Sequence, residues 1–150
     1  MNRLMLCAGP TRRIGWKTLD ANPECNPDVI ASIPPLPSEV SRQLWNEIEW
    51  IHGITSFYPW DAKSLLEELR AILATDGKLV LEQPDFRKAV SREEWLFGDP
   101  TFRNPLHMNR YAYAPDTLTR LLTDAGFARI EILEAIHHNP SRDFRLEAYR

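Results

Sequence analysis

The stretch LMLCAGPTRRIGWKTLD, residues 4–20, decides the fold of this chain. An apolar run over residues 4–6 ends at a small-residue turn, residues 7–10, and a second run over residues 16–19 ends at the acid Asp20. In open α/β sheets, ligands bind just beyond the carboxyl ends of the strands. A small turn at that edge allows a ligand to approach the backbone, and an acid on the next strand can accept hydrogen bonds from a ribose diol. The stretch therefore predicts two adjacent parallel strands with a nucleoside site at their ends.

The connection between these two strands is short. Residues 10–15 number six, whereas a parallel crossover with its helix needs roughly 10–12 residues or more. Either a short irregular loop replaces the first crossover helix, or the two strands do not pair in this way. We expect the loop, and hence a missing first crossover helix.

The rest of the chain shows helical and strand patterns in alternation. Ser38 is a candidate N-cap for a short helix through Leu44 or Trp45. Apolar spacing predicts helices over residues 61–74 and 115–125, with Asp61 as a cap of the first and Gly126 just after the second. Further strands are expected at residues 29–31, 47–51, 78–83 and 127–136, and from Phe144 onward. The pair Asp76-Gly77 is interpreted as the turn before the 78–83 strand. Residues 84–114 are aromatic and interrupted by proline, which predicts a loop with one helical turn near residues 91–95.

Composition limits the classes of function. The chain has 150 residues, of which 43% are hydrophobic and 26% charged, and a net charge of −3, which fits one soluble domain of residues 1–150. The acidic balance argues against nucleic acid or a membrane surface as the partner, and no apolar run approaches the roughly 18 residues of a membrane helix. The two cysteines fit no metal or redox spacing, so we expect a cytoplasmic protein without a bound metal.

Short motifs follow one another along nearly the whole chain. They are LCAGP (6–10), GW (15–16), LD (19–20), DVIA (28–31), LP (36–37), IL (72–73), DGKLVLEQPD (76–85), His107, YAP (113–115), Leu118, LL (121–122) and AGF (125–127). In this order they resemble a compact, methyltransferase type 11-like subgroup of the class I S-adenosylmethionine-dependent methyltransferases. The resemblance implies an α/β, Rossmann-like, mostly parallel seven-stranded sheet with an antiparallel last strand and few helices.

The resemblance also implies a cofactor, S-adenosylmethionine, and nine positions that bind it. Carried over position by position, they are Cys7, Ala8 and Gly9 beneath the methionine part, Asp20 at the ribose hydroxyls with Ala21 beside it, Ser32 and Ile33 at the adenine, and Ile51 and His52 along the far side. The reaction it implies is methyl transfer to a small-molecule acceptor.

Two of these positions depart from the family pattern. Cys7 stands where glycine is usual, and its Cβ narrows the approach to the methionine carboxylate. Ser32 stands where many members have an acid, so the adenine amino group would lose a charged acceptor. Because the first helix is expected to be missing, no helix N-terminus would hold the methionine carboxylate. Arg12 or Arg13 is the candidate that would bind it instead.

The acceptor side of the site is expected in the irregular segment. Methyl transfer from a sulfonium needs mainly positioning, together with a base when the acceptor carries a proton. His107 and Tyr111 lie in the 84–114 segment, and Asp85 follows the strand that precedes it. These three are the candidate catalytic residues, with His107 as a possible general base because a histidine titrates near neutral pH.

Two other functions are consistent with the sequence. Cys7, Ser32 and the missing helix favour a non-catalytic methyltransferase-like module that serves in binding or oligomerisation, and a homo-oligomer is also possible for the enzyme. A nicotinamide dinucleotide enzyme is the third option. It ranks last because the turn lacks the three-glycine pattern and Asp20 comes 11 residues after Gly9 instead of about 20.

Overall fold

The computed structural model describes residues 1–101 and 103–150 in full. In this described chain, seven strands form one sheet with the order β3-β2-β1-β4-β5-β7-β6. The strands are β1 (Arg3–Leu6), β2 (Lys17–Asp20), β3 (Val29–Ile30), β4 (Trp45–Ile51), β5 (Leu73–Pro84), β6 (Arg129–Glu134) and β7 (Asp143–Tyr149). The α-helices are α1 (Ser38–Ser41), α2 (Pro59–Ala71), α3 (Phe86–Ala89), α4 (Glu93–Phe97) and α5 (Pro115–Asp124).

The expected topology is confirmed. Strands β3, β2, β1, β4 and β5 run parallel, and β7 is inserted antiparallel between β5 and β6. Strands β1 and β2 pair in parallel, with Met5 opposite Thr18, although residues 7–16 contain no helix. The missing first crossover helix is therefore compatible with the parallel pairing, and the ends of β1, β2, β3 and β4 lie along one edge.

One face of the sheet carries the hydrophobic core. Buried side chains of the helices, such as Val40, Leu65 and Leu118, join a single apolar cluster with Ile48 and Leu81 from the central strands. Several of these side chains have no exposed surface, and burying each stabilises the fold by roughly 1.5–3 kcal/mol. Helices α1, α2 and α5 thus cover this face.

The opposite face is polar, although much of it is buried. Four charged side chains that are at most 8% exposed point to this face from β4, β5 and β7: Glu49, Glu82, Arg145 and Glu147. The loop over residues 7–16 lies against it, since Arg13 pairs with Glu49. Ion pairs and a loop therefore occupy the surface that faces away from α2 and α5.

Several element boundaries differ from those expected. Strand β5 begins at Leu73, so Asp76 and Gly77 lie within it instead of ending a helix. The register between β4 and β5 shifts there, and a Cβ on Gly77 would lie 2.7 Å from the Trp45 carbonyl oxygen. The glycine therefore permits a close backbone approach inside a strand, which a turn interpretation misses.

The ends of two helices also differ from those that the sequence predicts. Helix α2 begins at Pro59, with Asp61 in its first turn rather than at the cap, and α1 ends at Ser41 rather than at Leu44 or Trp45. The 84–114 segment contains α3 and α4 and is more ordered than a loop with one turn. Helix α5 begins at Pro115 as expected. No described helix combines the length and the apolar character that a membrane span requires.

Candidate functional site

The turn after β1 is joined to the end of β2 through Asp20. The backbone N–H of Gly9 donates to Oδ2 of Asp20 at 2.8 Å, and the N–H of Asn22 donates to Oδ1 at 2.8 Å. The N–H of Ala8 donates to the Leu19 carbonyl at 3.2 Å, which continues the parallel pairing into the turn. Because each carboxylate oxygen has about two acceptor sites, each can accept one further hydrogen bond. The carboxylate is thus held beside the 7–9 bend.

A cavity of about 520 Å³ opens at this edge of the sheet. Ligand pockets commonly measure about 300–1,000 Å³. Eight of the nine positions expected at the donor line it, and these are Cys7, Gly9, Asp20, Ala21, Ser32, Ile33, Ile51 and His52. Ala8, the ninth, is not among the lining residues. Residues that are distant in sequence are therefore brought together around one cavity.

Cys7 contributes a wall to the cavity from an unusual backbone conformation. Its φ is 51°, in the left-handed region where a Cβ is unfavourable. The β4–α2 connection lies against it, since a Cβ on Gly53 would fall 2.9 Å from the Cys7 Cβ and 2.2 Å from the Trp50 indole nitrogen. Burial raises the pKa of the Cys7 thiol to about 12. The side chain is therefore a neutral, apolar wall at physiological pH.

The outer wall of the cavity comes from the 84–114 segment. It contributes Glu94, Trp95, His107, Asn109 and Arg110, among others. The backbone N–H groups of Arg110 and Tyr111 donate to the carbonyl of Thr55 at 2.7 and 3.1 Å, and the Thr55 hydroxyl donates to Asn109 Oδ1 at 2.7 Å. These bonds tie the segment to the β4–α2 connection and close the cavity on that side.

Of the three acceptor-side candidates, the structure places only His107 at this cavity. Asp85 caps α3, where its carboxylate accepts the N–H of Arg87 at 3.0 Å. Tyr111 packs edge-on against Tyr113 and lines a neighbouring cavity with Phe86 and other residues. Asp85 and Tyr111 are therefore explained by local structure.

The two candidate arginines also lie outside the cavity lining. Arg13 forms an ion pair with Glu49 on the polar face of the sheet. Arg12 donates to the carbonyl oxygens of Gly9, Thr11 and Cys25. We expected one of these arginines to bind the methionine carboxylate of the donor, and these contacts do not fit that expectation. The loop directs one guanidinium group to Glu49 and the other to backbone carbonyl oxygens.

A polar cluster that sequence reasoning missed lies next to the cavity. His52 Nε2 is 2.6 Å from Oδ2 of Asp143, whose side chain has no exposed surface. Arg142 donates to both oxygens of the same carboxylate, and both His52 and Arg142 line the cavity. Burial opposes ionisation of Asp143, but hydrogen bonds from Arg142 and His52 lower its pKa overall. The cluster therefore holds an ionised carboxylate against the histidine ring.

Antiparallel insertion of β7 explains why this cluster was missed. Asp143 begins β7, and an antiparallel strand begins at the edge where its parallel neighbours end. The only signal in the sequence is a pair of polar residues, Arg142 and Asp143, before an alternating strand. In the described residues, no group of three histidines, cysteines or acids is arranged to hold a metal ion.

Comparisons with solved structures identify the fold. The chain is similar to an S-adenosylmethionine-dependent methyltransferase from Archaeoglobus fulgidus, with a TM-score of 0.72 and 14% identity. The match covers 99% of this chain and 86% of that protein. With a TM-score of 0.71 and 16% identity, 98% of this chain matches 81% of the glycopeptide N-methyltransferase MtfA complexed with S-adenosyl-L-homocysteine. It spans about half, 52%, of a Nostoc punctiforme chain that it matches with a TM-score of 0.63 and 14% identity. No protein-family model and no curated protein matches the sequence.

The chain therefore has the fold of the class I S-adenosylmethionine-dependent methyltransferases, as its motifs indicated. The strand order and the antiparallel last strand agree with that assignment.

Proposed function

We propose that this protein is a methyltransferase that uses S-adenosylmethionine to methylate a small molecule. One observation carries the proposal: the Asp20 carboxylate stands beside the 7–9 bend on an adjacent parallel strand, at the edge of a cavity of about 520 Å³. This is the position at which open α/β sheets bind nucleosides. The fold that the chain shares with methyltransferases agrees with it.

The residues that line the cavity fit the chemistry of a nucleoside. Asp20 retains one acceptor site on each oxygen, which suits the two hydroxyls of a ribose. Ser32 and Ile33, from the segment after β3, would lie at the adenine, and their side chains are compatible with a flat and partly apolar ring. Cys7 and Gly9 would lie beneath the methionine part. When bound, S-adenosylmethionine supplies an activated methyl group, and the protein supplies alignment with the acceptor.

Binding measurements test the proposal directly. Isothermal titration with S-adenosylmethionine, S-adenosylhomocysteine and NAD is expected to show saturable binding of the first two and none of the third. Binding of S-adenosylhomocysteine is also expected to raise the melting temperature, because a ligand that binds only the folded state stabilises it.

Asp20→Asn is the matched variant for this test. The substitution keeps the size of the side chain but removes the charge and one acceptor, so we expect affinity for S-adenosylhomocysteine to fall by roughly 10- to 100-fold. The control is Asp116→Asn, which changes an exposed aspartate that pairs with Arg87 outside the cavity lining. This variant should bind like the wild type. If no nucleoside ligand binds, the proposal is wrong and a non-catalytic binding module is favoured.

A further inference from the structure

His52 lies where three parts of the chain meet at the wall of the cavity. It follows β4, and its ring stacks on that of His138 from the β6–β7 hairpin with 4.0 Å between centroids. Its Nε2 is 2.6 Å from Oδ2 of the buried Asp143 carboxylate. Arg142 donates to both oxygens of that carboxylate, and its Nη2 lies 3.5 Å from the same histidine nitrogen. The ring is therefore fixed by packing and by a hydrogen bond.

The hydrogen bond to Asp143 determines the tautomer of His52. An ionised carboxylate only accepts hydrogen bonds, so the proton of a neutral His52 must reside on Nε2, next to Asp143. Nδ1 then carries a lone pair. In the described part of the chain, no hydrogen bond involves Nδ1, and the His52 side chain remains 31% exposed at the cavity wall. The ring thus combines a buried anchor with an acceptor nitrogen on a partly exposed side chain.

We propose that His52 is the general base of the methyl transfer and that the acceptor is a phenolic hydroxyl. The inference rests on the proposed function and names the substrate class of that same site. As the acceptor oxygen forms its bond to the methyl carbon, the bond from that carbon to sulfur breaks and sulfur keeps the electron pair. The hydroxyl proton passes to Nδ1 of His52, and the Asp143 carboxylate stabilises the resulting imidazolium.

The walls of the cavity that His52 lines favour a flat apolar acceptor. Trp95, Phe57 and Leu106 line the same cavity, and the Arg142 guanidinium lies 5.6 Å from the centre of the Trp95 ring. Aromatic side chains provide large apolar contact area for another ring. A phenol also carries a proton that an imidazole can remove in the course of attack, whereas an aliphatic alcohol is a much weaker acid.

Charged groups around His52 support the assignment of the proton. Arg142 and Asp143 largely neutralise each other, and the Glu82 carboxylate accepts the backbone N–H of His138 at 2.9 Å. Burial and the neighbouring His52 lower the pKa of His138, which disfavours a second positive charge beside His52. Glu94 and His107 line the cavity as well. Asp143 is thus the carboxylate that contacts the ring, and it acts as a positioning residue.

The test uses the full chain, methyl-labelled S-adenosylmethionine and a panel of simple phenols: catechol, 4-hydroxybenzoate and phenol. His52→Gln is expected to lower kcat by about 10²- to 10⁴-fold, with a much smaller change in affinity for S-adenosylhomocysteine. The dependence of kcat on pH should flatten in this variant, because the proposed base has been removed. His137→Gln is the matched control. His137 precedes His138 in the β6–β7 hairpin, lies outside the cavity lining, and has its Nε2 3.6 Å from Oε1 of Glu49.

Two further measurements separate catalysis from a structural role. His52→Gly suits the left-handed φ of 54° at this position, and added imidazole should restore part of its activity. Two-bond ¹H–¹⁵N correlations should show the His52 proton on Nε2 in the wild type, and Asp143→Asn should change this tautomer.

Each outcome bears on the inference. If S-adenosylhomocysteine does not bind, the proposed function fails and the inference fails with it. If it binds but no phenol is methylated, or if His52→Gln keeps the wild-type kcat, the inference alone is overturned. Protonation of Nδ1 instead of Nε2 in the wild type would also overturn it.

Discussion

At the scale of single residues, Cys7 has a backbone conformation that suits glycine better than cysteine. Its φ of 51° costs a residue with a Cβ roughly 1–2 kcal/mol. The sequence has cysteine at this position, where the family pattern has glycine. The structure shows that the backbone of the turn is left-handed there even with cysteine. The side chain narrows the cavity, but the bend itself is retained.

Cys7→Gly is expected to increase affinity for S-adenosylhomocysteine several-fold. The substitution removes the Cβ from the cavity wall and relieves the unfavourable φ. Isothermal titration measures the effect, and Cys7→Ala is the control because it removes the sulfur but keeps the Cβ. Equal affinities for the glycine and alanine variants would show that the Cβ does not obstruct the ligand.

Gly53→Ala tests the contact between the two turns that meet at Cys7. The added Cβ would lie 2.2 Å from the Trp50 indole nitrogen and 2.9 Å from the Cys7 Cβ, so one of them must move. Overpacking of this kind typically costs about 1–3 kcal/mol, and we expect a loss of that size in urea unfolding. Gly15→Ala is the comparison, since open space surrounds that position and only its φ of 79° opposes a side chain. A Gly53→Ala variant as stable as the wild type would show that the turns are not in close contact.

At the scale of helices and strands, the sequence predicts an element well when neighbouring residues determine it, and poorly when residues far apart in the chain do. Helix α5 was placed correctly because Pro115 and the apolar spacing that follows are local signals. The early start of β5 was missed because it depends on pairing of Leu73 with Trp45, which are far apart in the chain. The His52–Asp143 contact joins residues 91 positions apart, and it follows from β7 being antiparallel. Eight of the nine positions that the family resemblance implied line the cavity, because the parallel strands that precede them end at one edge of the sheet.

Glu82 holds the connection between β6 and β7. Its fully buried carboxylate accepts the backbone N–H groups of Ile136, His137 and His138 at 2.8–3.0 Å. A neutral amide would present an N–H₂ group to some of these donors. We therefore expect Glu82→Gln to destabilise the protein by about 2–3 kcal/mol.

Hydrogen exchange provides the readout for this variant. The three amides of residues 136–138 should exchange faster in Glu82→Gln, while the helix α5 amides change only with global stability. Glu134→Gln, an exposed change at the end of β6, is the control. Unchanged protection at residues 136–138 would contradict the role assigned to the carboxylate.

At the scale of the whole molecule, the two faces of the sheet are stabilised by different forces. Helices bury apolar side chains on one face. On the other, Lys78 and Arg145 contact Glu147 at 2.9 and 2.8 Å, and Arg13 pairs with Glu49. This arrangement makes the stability of the protein depend on ionised carboxylates, because breaking a buried ion pair leaves a charge without a partner.

Acid should therefore destabilise this protein in a defined pH range. Hydrogen bonds from Arg145, Lys78 and Tyr149 outweigh burial and lower the pKa of Glu147 from 4.5 to about 2. A carboxyl with a lowered pKa in the folded state contributes its full stabilisation above its unfolded pKa, and loses it as the pH falls toward the folded value. We expect the melting temperature to fall most steeply between about pH 4.5 and 2.

Glu147→Gln isolates this contribution. The variant should be less stable than the wild type at pH 7, and the difference should shrink as the pH falls toward 2, where the native carboxyl is itself being protonated. Glu131→Gln is the matched control, because Glu131 lies opposite Glu147 on β6 with a side chain that is 42% exposed. Its exposed position gives its charge little influence on stability, since solvent screens such pairs. Parallel stability curves for Glu147→Gln and the wild type from pH 5 to 2 would show that the acid transition arises elsewhere in the molecule.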